Sequence, residues 1–237
     1  MPAYNEAARL GPYLASVLAY LQQRGEPFEV LVVDDGSADD TGAVVETFRA
    51  GEPSLRLIAL PANRGKGCAV RTGMLQTTGR LALFADADGA TPIQELDRLE
   101  AAIRDGADLA IGSRFQASRD PRFRVEARWH RSVSGNLFNG IVRRLGIPGI
   151  TDTQCGFKLF RQAVARDLFS VARIDGYGFD LELLYIAQRR GYKIAEVPIN
   201  WADQPGSKVR VMRDGLRMFS ELLAVRRNDK AGRYNKG

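Results

Sequence analysis

Three short apolar runs, each closing on acidic or glycine-rich residues and each bordered by stretches of helical spacing, constrain the fold more than any other feature. Phe28 to Val33 ends in Asp34-Asp35-Gly36-Ser37, and Leu55 to Leu60 leads into Pro61-Ala62-Asn63-Arg64-Gly65-Lys66-Gly67. Leu81 to Ala85 ends in Asp86-Ala87-Asp88-Gly89. Apolar runs of this length without alternation read as strands buried on both faces, the habit of a parallel sheet. Between them, Asp39, Asp40 and Thr41 offer N-caps for a helix to about Ala50, and a second helix is expected from Cys68 to about Thr77. Strands alternating with helices of roughly 10–15 residues predict right-handed βαβ units. In such sheets ligands lie beyond the carboxyl ends of the strands, where these turns fall.

The remaining chain fits the same α/β pattern. Leu10, Leu14, Val17, Leu18 and Leu21 mark the apolar face of a helix over Ala8 to Leu21, broken by Pro27. Ile93 to Arg104 is a further helix with Pro92 at its first turn, and Leu109 to Ile111 a short strand ending in Gly112-Ser113-Arg114. Phe115 to Arg128 is polar and arginine-rich and reads as a loop. Helical spacing resumes over Val133 to Leu145, Thr151 to Phe160 holds a polar cluster, and a loop runs into a helix over Gly176 to Arg190. Ile194 to Trp201 reads as a strand and Val211 to Arg227 as a last helix.

Composition narrows the chemistry. At 237 residues the chain is long enough for one sizeable core. No window approaches the ~18–20 apolar residues of a membrane span, and Glu6 and Arg9 make the N-terminus unlike a signal peptide, so a cytoplasmic location is expected. Cys68 and Cys155 are too few for a disulfide framework. His130 is the only histidine, which excludes a multi-histidine zinc site and leaves carboxylates to carry the chemistry. A net charge of +6 points to an anionic partner. No helix-turn-helix, zinc-finger or aromatic RNA-binding signature accompanies it, so nucleic acid is not expected.

Asp86 and Asp88 project to the same side of a strand end, with Ala87 between them and Gly89 turning the chain away. They read either as solvated turn acids or as ligands for Mg²⁺ or Mn²⁺, hard cations commonly held by one or two carboxylates plus substrate phosphates. Asp34-Asp35-Gly36-Ser37 reads as a turn or as an acceptor for a base N–H or ribose hydroxyl. The glycines around Lys66 open a helix, where backbone N–H groups, Lys66 and Arg71 can face a phosphate.

Taken in order, P-A-Y-N-E, V-V-D-D-G-S-A-D-D-T, N-R-G-K-G-C-A-V-R-T-G, D-A-D-G-A and D-T-Q-C-G-F-K resemble the family 2 glycosyltransferases. The likeness runs from Pro2 to about Lys208. D-A-D-G-A-T-P, G-S-R-F, G-Y-G-F-D-L-E-L-L-Y and E-V-P-I-N-W resemble the dolichyl-phosphate β-glucosyltransferases most within the polyprenyl-phosphate sugar transferases. The resemblance implies a GT-A (Rossmann-like) α/β/α sandwich with a mostly parallel sheet. It also implies an inverting, metal-dependent transfer of a hexose, glucose from UDP-glucose, to a polyprenyl phosphate at the cytoplasmic membrane face. Mannosyl transfer, an inactive nucleotide-binding module and a nucleotidyltransferase are the alternatives, the last lacking its glycine-rich, lysine-bearing start. Mannosyl-transferring relatives commonly carry Gln where this chain has Ala90, which removes one metal-side ligand.

Carried over by position, Pro2, Ala3, Tyr4 and Glu6 line the nucleotide pocket, Asp35 reads the base, and Lys66, Asp86, Ala87 and Asp88 face the diphosphate. Asp86 and Asp88 hold Mg²⁺ or Mn²⁺. Arg114, Arg128, Arg131 and Ser134 receive the acceptor phosphate, and Asp152 sits where the family's proposed base lies. A phosphate monoester has a second pKa near ~6 and is largely dianionic at neutral pH, so Asp152 is expected to orient the nucleophile or stabilise the oxocarbenium-like carbon more than to abstract a proton. Asp180 and Glu182 stand in the first turn of a helix, where acids also serve as plain stabilisers.

Two expectations concern the ends. Relatives carry an apolar strand directly before P-x-Y-N-E, so the N-terminal strand is expected to be missing here, with a gap beside Val30 to Val33. Residues 1–209 are expected to form the transferase domain and 210–237 an amphipathic helix with a basic tail. On that helix Val211, Met212, Leu216, Met218, Phe219, Leu222, Leu223 and Val225 share one half of the circumference, the pattern of a helix lying on a membrane or packing on the core.

Overall fold

The apolar runs form strands whose carboxyl ends share one edge. β1 (Pro2–Ala3), β2 (Val30–Asp34) and β3 (Leu55–Ala59) are parallel in the order β1-β2-β3, with Pro2 opposite Val33 and Val30 opposite Leu55. A second sheet has the order β4-β7-β5-β8, from β4 (Leu81–Ala85), β5 (Leu109–Ser113), β7 (Phe157–Arg161) and β8 (Ile194–Pro198). β5 and β8 are parallel, while β7 lies antiparallel between β4 and β5. A small parallel pair joins β6 (Val125–Glu126) to β9 (Trp201–Ala202). The structure, a computed structural model, describes residues 1–126, 147–204 and 211–235, with backbone alone over 211–219. The helix expected over Val133 to Leu145 lies outside the described residues.

Helices cover both faces, giving the expected α/β/α sandwich. One face packs α1 (Ala7–Arg24), α2 (Thr41–Arg49) and α4 (Leu96–Arg104), through Leu10, Leu14, Val17, Val45 and Leu99. The other packs α3 (Lys66–Gln76), α6 (Gln162–Val171), α7 (Phe179–Arg189) and the C-terminal half of α8 (Val211–Lys230) through Val70, Leu168, Leu184, Leu222 and Val225. Gly25, in the left-handed region at φ 66°, ends α1 before Pro27 is reached.

Two stretches differ from expectation. The polar cluster over Thr151 to Phe160 contains most of β7, and its charge is internal: Lys158 is fully buried, 2.5 Å from Asp180 and donating to the Cys155 carbonyl at the same distance. Removing either partner of such a pair costs about 3–5 kcal/mol, because the other charge stays buried. The arginine-rich stretch from Phe115 is also more ordered than a plain loop, since it holds most of α5 (Arg114–Ala117) and the strand β6. The α5 turn starts where Ser113 accepts the Gln116 N–H.

Between the two larger sheets lies the expected gap. Asp86 N–H donates to Gly156 and Gln162 N–H to Arg80, so even-numbered residues of β4 bond β7. Leu81, Leu83 and Ala85 therefore aim their N–H and C=O groups at the opposite edge, where no strand among the described residues pairs with them. A cavity of about 260 Å³ occupies this place, lined by Met1, Val17, Leu21, Leu31, Leu83 and Phe84 among others. The Met1 amino group donates to the Leu31 carbonyl at 2.8 Å, and burial in this apolar surround lowers it to about 5.

An apolar extension of about ten residues upstream of Met1 is expected to pair with these edges, raise the melting temperature and reduce aggregation. Between about pH 5 and 8 the unfolded amino group keeps a proton that the folded one has lost. The stability of the chain beginning at Met1 should therefore rise with pH across that window, and the extended chain should lose that slope. An unchanged melting temperature would mean that the added segment does not enter the slot.

Candidate active site

Two loops interlock at the ends of β1 and β2. Asn5 adopts a left-handed conformation, φ 52°, which turns its N–H onto Ser37 Oγ at 2.8 Å while its Oδ1 accepts the Ala38 N–H at 2.7 Å. Glu6 N–H donates to Thr41 Oγ1 at 2.7 Å, and Asp34 accepts the Ser37 N–H. Ala3 is buried, Pro2 half-buried and Tyr4 39 % exposed, so Tyr4 presents its ring at the rim. Glu6 is paired with Arg9, whose Nη1 lies 3.9 Å from Asp88.

Asp35 is buried, and its two carboxylate oxygens accept the N–H groups of Arg64 and Gly65, each at 2.8 Å. It therefore ties the loop after β3 to the end of β2. Gly36, at φ 68°, lets the chains touch: a Cβ there would stand 2.6 Å from the Ala62 carbonyl carbon. The backbone at the start of α3 differs from expectation. Gly67 and Cys68 donate their N–H groups to the Asp175 carbonyl, at 2.8 and 3.3 Å, rather than to an open phosphate site, and Arg71 pairs with the Asp175 carboxylate at 2.5 Å. Lys66 is the group of this loop that reaches the centre, its Nζ 2.7 Å from Asp86 Oδ1 and 5.5 Å above the Phe84 ring. Burial works against the Lys66 ammonium, but Asp86 and Asp180 outweigh it and raise its pKa.

Asp86 and Asp88 stand together at the end of β4. Gly156 is required beside them, because a Cβ there would overlap the Asp86 carboxylate. Asp88 Oδ1 accepts the Ala90 N–H at 3.0 Å, and Ala87 between the acids is buried. Burial, then the neighbouring Asp86, raise the Asp88 pKa. Asp86 Oδ1 faces the Lys66 ammonium at 2.7 Å, the one cation that reaches this carboxylate from α3. Among the described residues no group of three or more His, Cys, Asp or Glu side chains is placed to hold a metal ion by itself. Two neighbouring carboxylates whose ionisation is disfavoured by burial and by each other, as the raised Asp88 pKa shows, suit a hard divalent cation that completes its shell with substrate phosphates.

On the other side of the centre, Arg114 and Asp152 form a forked pair. Arg114 Nε and Nη2 each lie 2.7 Å from a carboxylate oxygen, and the Arg114 N–H donates to the same group at 2.9 Å. Burial opposes ionisation of Asp152, yet the Arg114 guanidinium outweighs it and holds the carboxyl below its ordinary value. Glu196 of β8 accepts from the Thr151 and Asp152 N–H groups, and the Trp201 ring lies 5.2 Å from the Arg114 guanidinium. Asp152 is thus an ionised anchor that aims Arg114. Arg128, Arg131 and Ser134 lie outside the described residues.

Sequence reasoning quoted Glu196 and Trp201 within E-V-P-I-N-W without giving either a role, and gave none to Asp175. Asp180 and Glu182 prove structural. Asp180 neutralises Lys158, and Glu182 accepts the N–H groups of Arg173 and Ile174 and the hydroxyl of Tyr234.

The sequence profile described as Glycosyl transferase family 2 matches residues 1–169. A dolichyl-phosphate beta-glucosyltransferase of Trichomonas vaginalis is 39% identical over 98% of this chain and 71% of its own length. The enzymes of the same description from Drosophila melanogaster and Homo sapiens are 39% and 37% identical, over 95% of this chain and 72% and 73% of theirs. Among solved structures, glucosyl-3-phosphoglycerate synthase from Mycobacterium tuberculosis with Mn²⁺ and UDP-glucose superimposes with a TM-score of 0.69 at 18% identity, covering 94% of this chain and 76% of that one. Mannosyl-3-phosphoglycerate synthase from Rubrobacter xylanophilus gives 0.70 at 18%, covering 99% and 74%. These two share the GT-A fold with this chain. With the profile spanning residues 1–169 and the site formed by the same motifs, the chain belongs to glycosyl transferase family 2.

Proposed function

We propose that the chain transfers glucose from UDP-glucose to a polyprenyl phosphate of the dolichyl type, with inversion at the anomeric carbon and with Mg²⁺ or Mn²⁺, working peripherally at the cytoplasmic face of a membrane. The observation that carries this reading is the division of the site. Asp86, Asp88 and Lys66 form one side, and the Arg114–Asp152 pair the other. The likeness to the T. vaginalis, D. melanogaster and human dolichyl-phosphate beta-glucosyltransferases supports glucose and dolichyl phosphate, and the Mn²⁺ and UDP-glucose of the mycobacterial structure support donor and metal.

Each side has a distinct task. Pro2, Ala3, Tyr4 and Glu6 border the nucleotide, and Asp35 shapes that pocket through the Arg64–Gly65 backbone. Asp86 and Asp88 would hold the cation, which when bound would offset charge on the departing diphosphate. Lys66 turns to the same phosphates. Arg114, held flat by Asp152, faces the acceptor phosphate with the guanidinium nitrogen that the carboxylate leaves unused, and Arg128, Arg131 and Ser134 add to that receptor. The acceptor arrives ionised and attacks in line, so no side chain needs to take a proton.

UDP release measured with and without a polyprenyl phosphate tests the reading, and release that ignores the lipid would contradict it. Asp88→Asn should abolish turnover and weaken metal-dependent UDP binding sharply. Asp152→Asn should leave UDP affinity nearly intact while turnover falls and the KM for the lipid rises, because Arg114 loses its anchor. Wild-type turnover in Asp152→Asn would remove its role. Since Arg114 keeps Asp152 ionised, the acid limb of the rate profile should follow the acceptor's second pKa near ~6 and move with a phosphonate acceptor.

No helix among the described residues is long and apolar enough to cross a bilayer, and the proposed membrane contact lies on the basic C-terminal face. Leu222 and Val225 of α8 and the following Tyr234 are core residues, so cutting the chain after Gly206 would remove packing as well as surface. Leu223 is 49 % exposed, and Arg227 and Lys230 are exposed beside it. Arg227→Glu with Lys230→Glu should reduce cosedimentation with anionic liposomes while UDP binding persists, each basic residue contributing about 1 kcal/mol at low salt. Unchanged, salt-insensitive liposome binding would exclude this face.

A further inference from the structure

We infer that Glu221, on α8 and remote in sequence from every motif of the site, is a positioning residue for nucleotide binding. The inference rests on the nucleotide-site reading above. Its carboxylate lies flat on the glycine turn before α7: Oε2 accepts the Gly178 N–H at 2.7 Å, and a Cβ on Gly176 would overlap Oε1. That turn in turn caps α3. The Asp175 carbonyl takes the Gly67 and Cys68 N–H groups, and the Asp175 carboxylate pairs with Arg71 at 2.5 Å and lies 3.6 Å from Arg64. Gly65 and Gly67 are pressed against the same segment, where a Cβ would overlap the carbonyl oxygens of Asp175 and Ile174. Lys66 stands between those two glycines, 2.7 Å from Asp86. The chain of contacts therefore runs from Glu221 through the Gly176–Gly178 turn to the start of α3 and so to Lys66. Glycines at 65, 67, 176 and 178 remove the side chains that would separate these layers, so a shift of the turn is transmitted with no soft side chain to absorb it.

Geometry rather than charge is the active property, and three variants separate the two. Glu221→Gln keeps an acceptor at the same reach, Glu221→Asp keeps the charge but falls one methylene short of Gly178, and Glu221→Ala loses both. Calorimetric titration of the full chain with UDP in the presence of Mn²⁺ should show affinity within about twofold of wild type for the Gln variant. The Asp and Ala variants should lose about tenfold, with the KM for polyprenyl phosphate unmoved. In a Lys66→Met background the Glu221→Asp change should have less than a twofold effect, because the contact acts through the lysine. An equal loss in both backgrounds, or a fall in melting temperature with unchanged UDP affinity, would make Glu221 merely structural. If the Ala variant does not fold, the Asp variant decides alone. Absence of UDP binding by the wild-type chain would overturn the nucleotide-site reading and this inference with it. Wild-type UDP affinity in Glu221→Asp would overturn the inference alone.

Discussion

Asp86 and Asp88 place two like charges at the end of a buried strand, and much of the polar architecture around β4 balances them. Burial and mutual repulsion both oppose ionisation, as the raised pKa of Asp88 reflects. Lys66 approaches Asp86, Arg9 approaches Asp88 from α1, and the Lys158–Asp180 pair lies beneath the Phe84 ring shared with Lys66. Gly156 leaves the space in which the Asp86 carboxylate sits. A carboxylate pair held this way favours an added cation over the pair alone, which is the condition a metal–diphosphate site requires.

The proposed acceptor side follows a different rule. Arg114 and the buried Asp152 neutralise each other in a partly buried fork, and the pair gains from planarity: a guanidinium matches two carboxylate oxygens where an ammonium meets one. A carboxylate committed to two arginine N–H groups is a poor base. It is a good clamp, and an acceptor that ionises unaided near neutral pH asks for no more. On the proposed function, catalysis rests on charge stabilisation and alignment rather than on proton transfer.

The sheet and the meeting of its acidic turns at one edge were legible in the sequence because parallel strands leave uninterrupted apolar runs and their turns carry the acids. β7 was hidden for the opposite reason. Lys158 breaks its run, and the charge is cancelled by Asp180, on a helix 22 residues further on. The backbone partners of Asp35, the Asp175 cap of α3 and the Glu196 support of Asp152 join residues 29 or more positions apart or close through a carbonyl, which any residue type supplies. Side-chain identity alone carries no trace of such contacts. β6 and β9, two residues each, are too short to leave a period.

The central claim is that Asp86 and Asp88 hold the nucleotide through a divalent cation. Calorimetric titration of UDP into the wild-type chain and into Asp86→Asn, in Mn²⁺ and again in chelator, tests it most directly. The account predicts that wild-type affinity falls at least about tenfold when the metal is withdrawn, while Asp86→Asn binds weakly and equally in both conditions. Equal wild-type affinity for UDP with and without metal would contradict it.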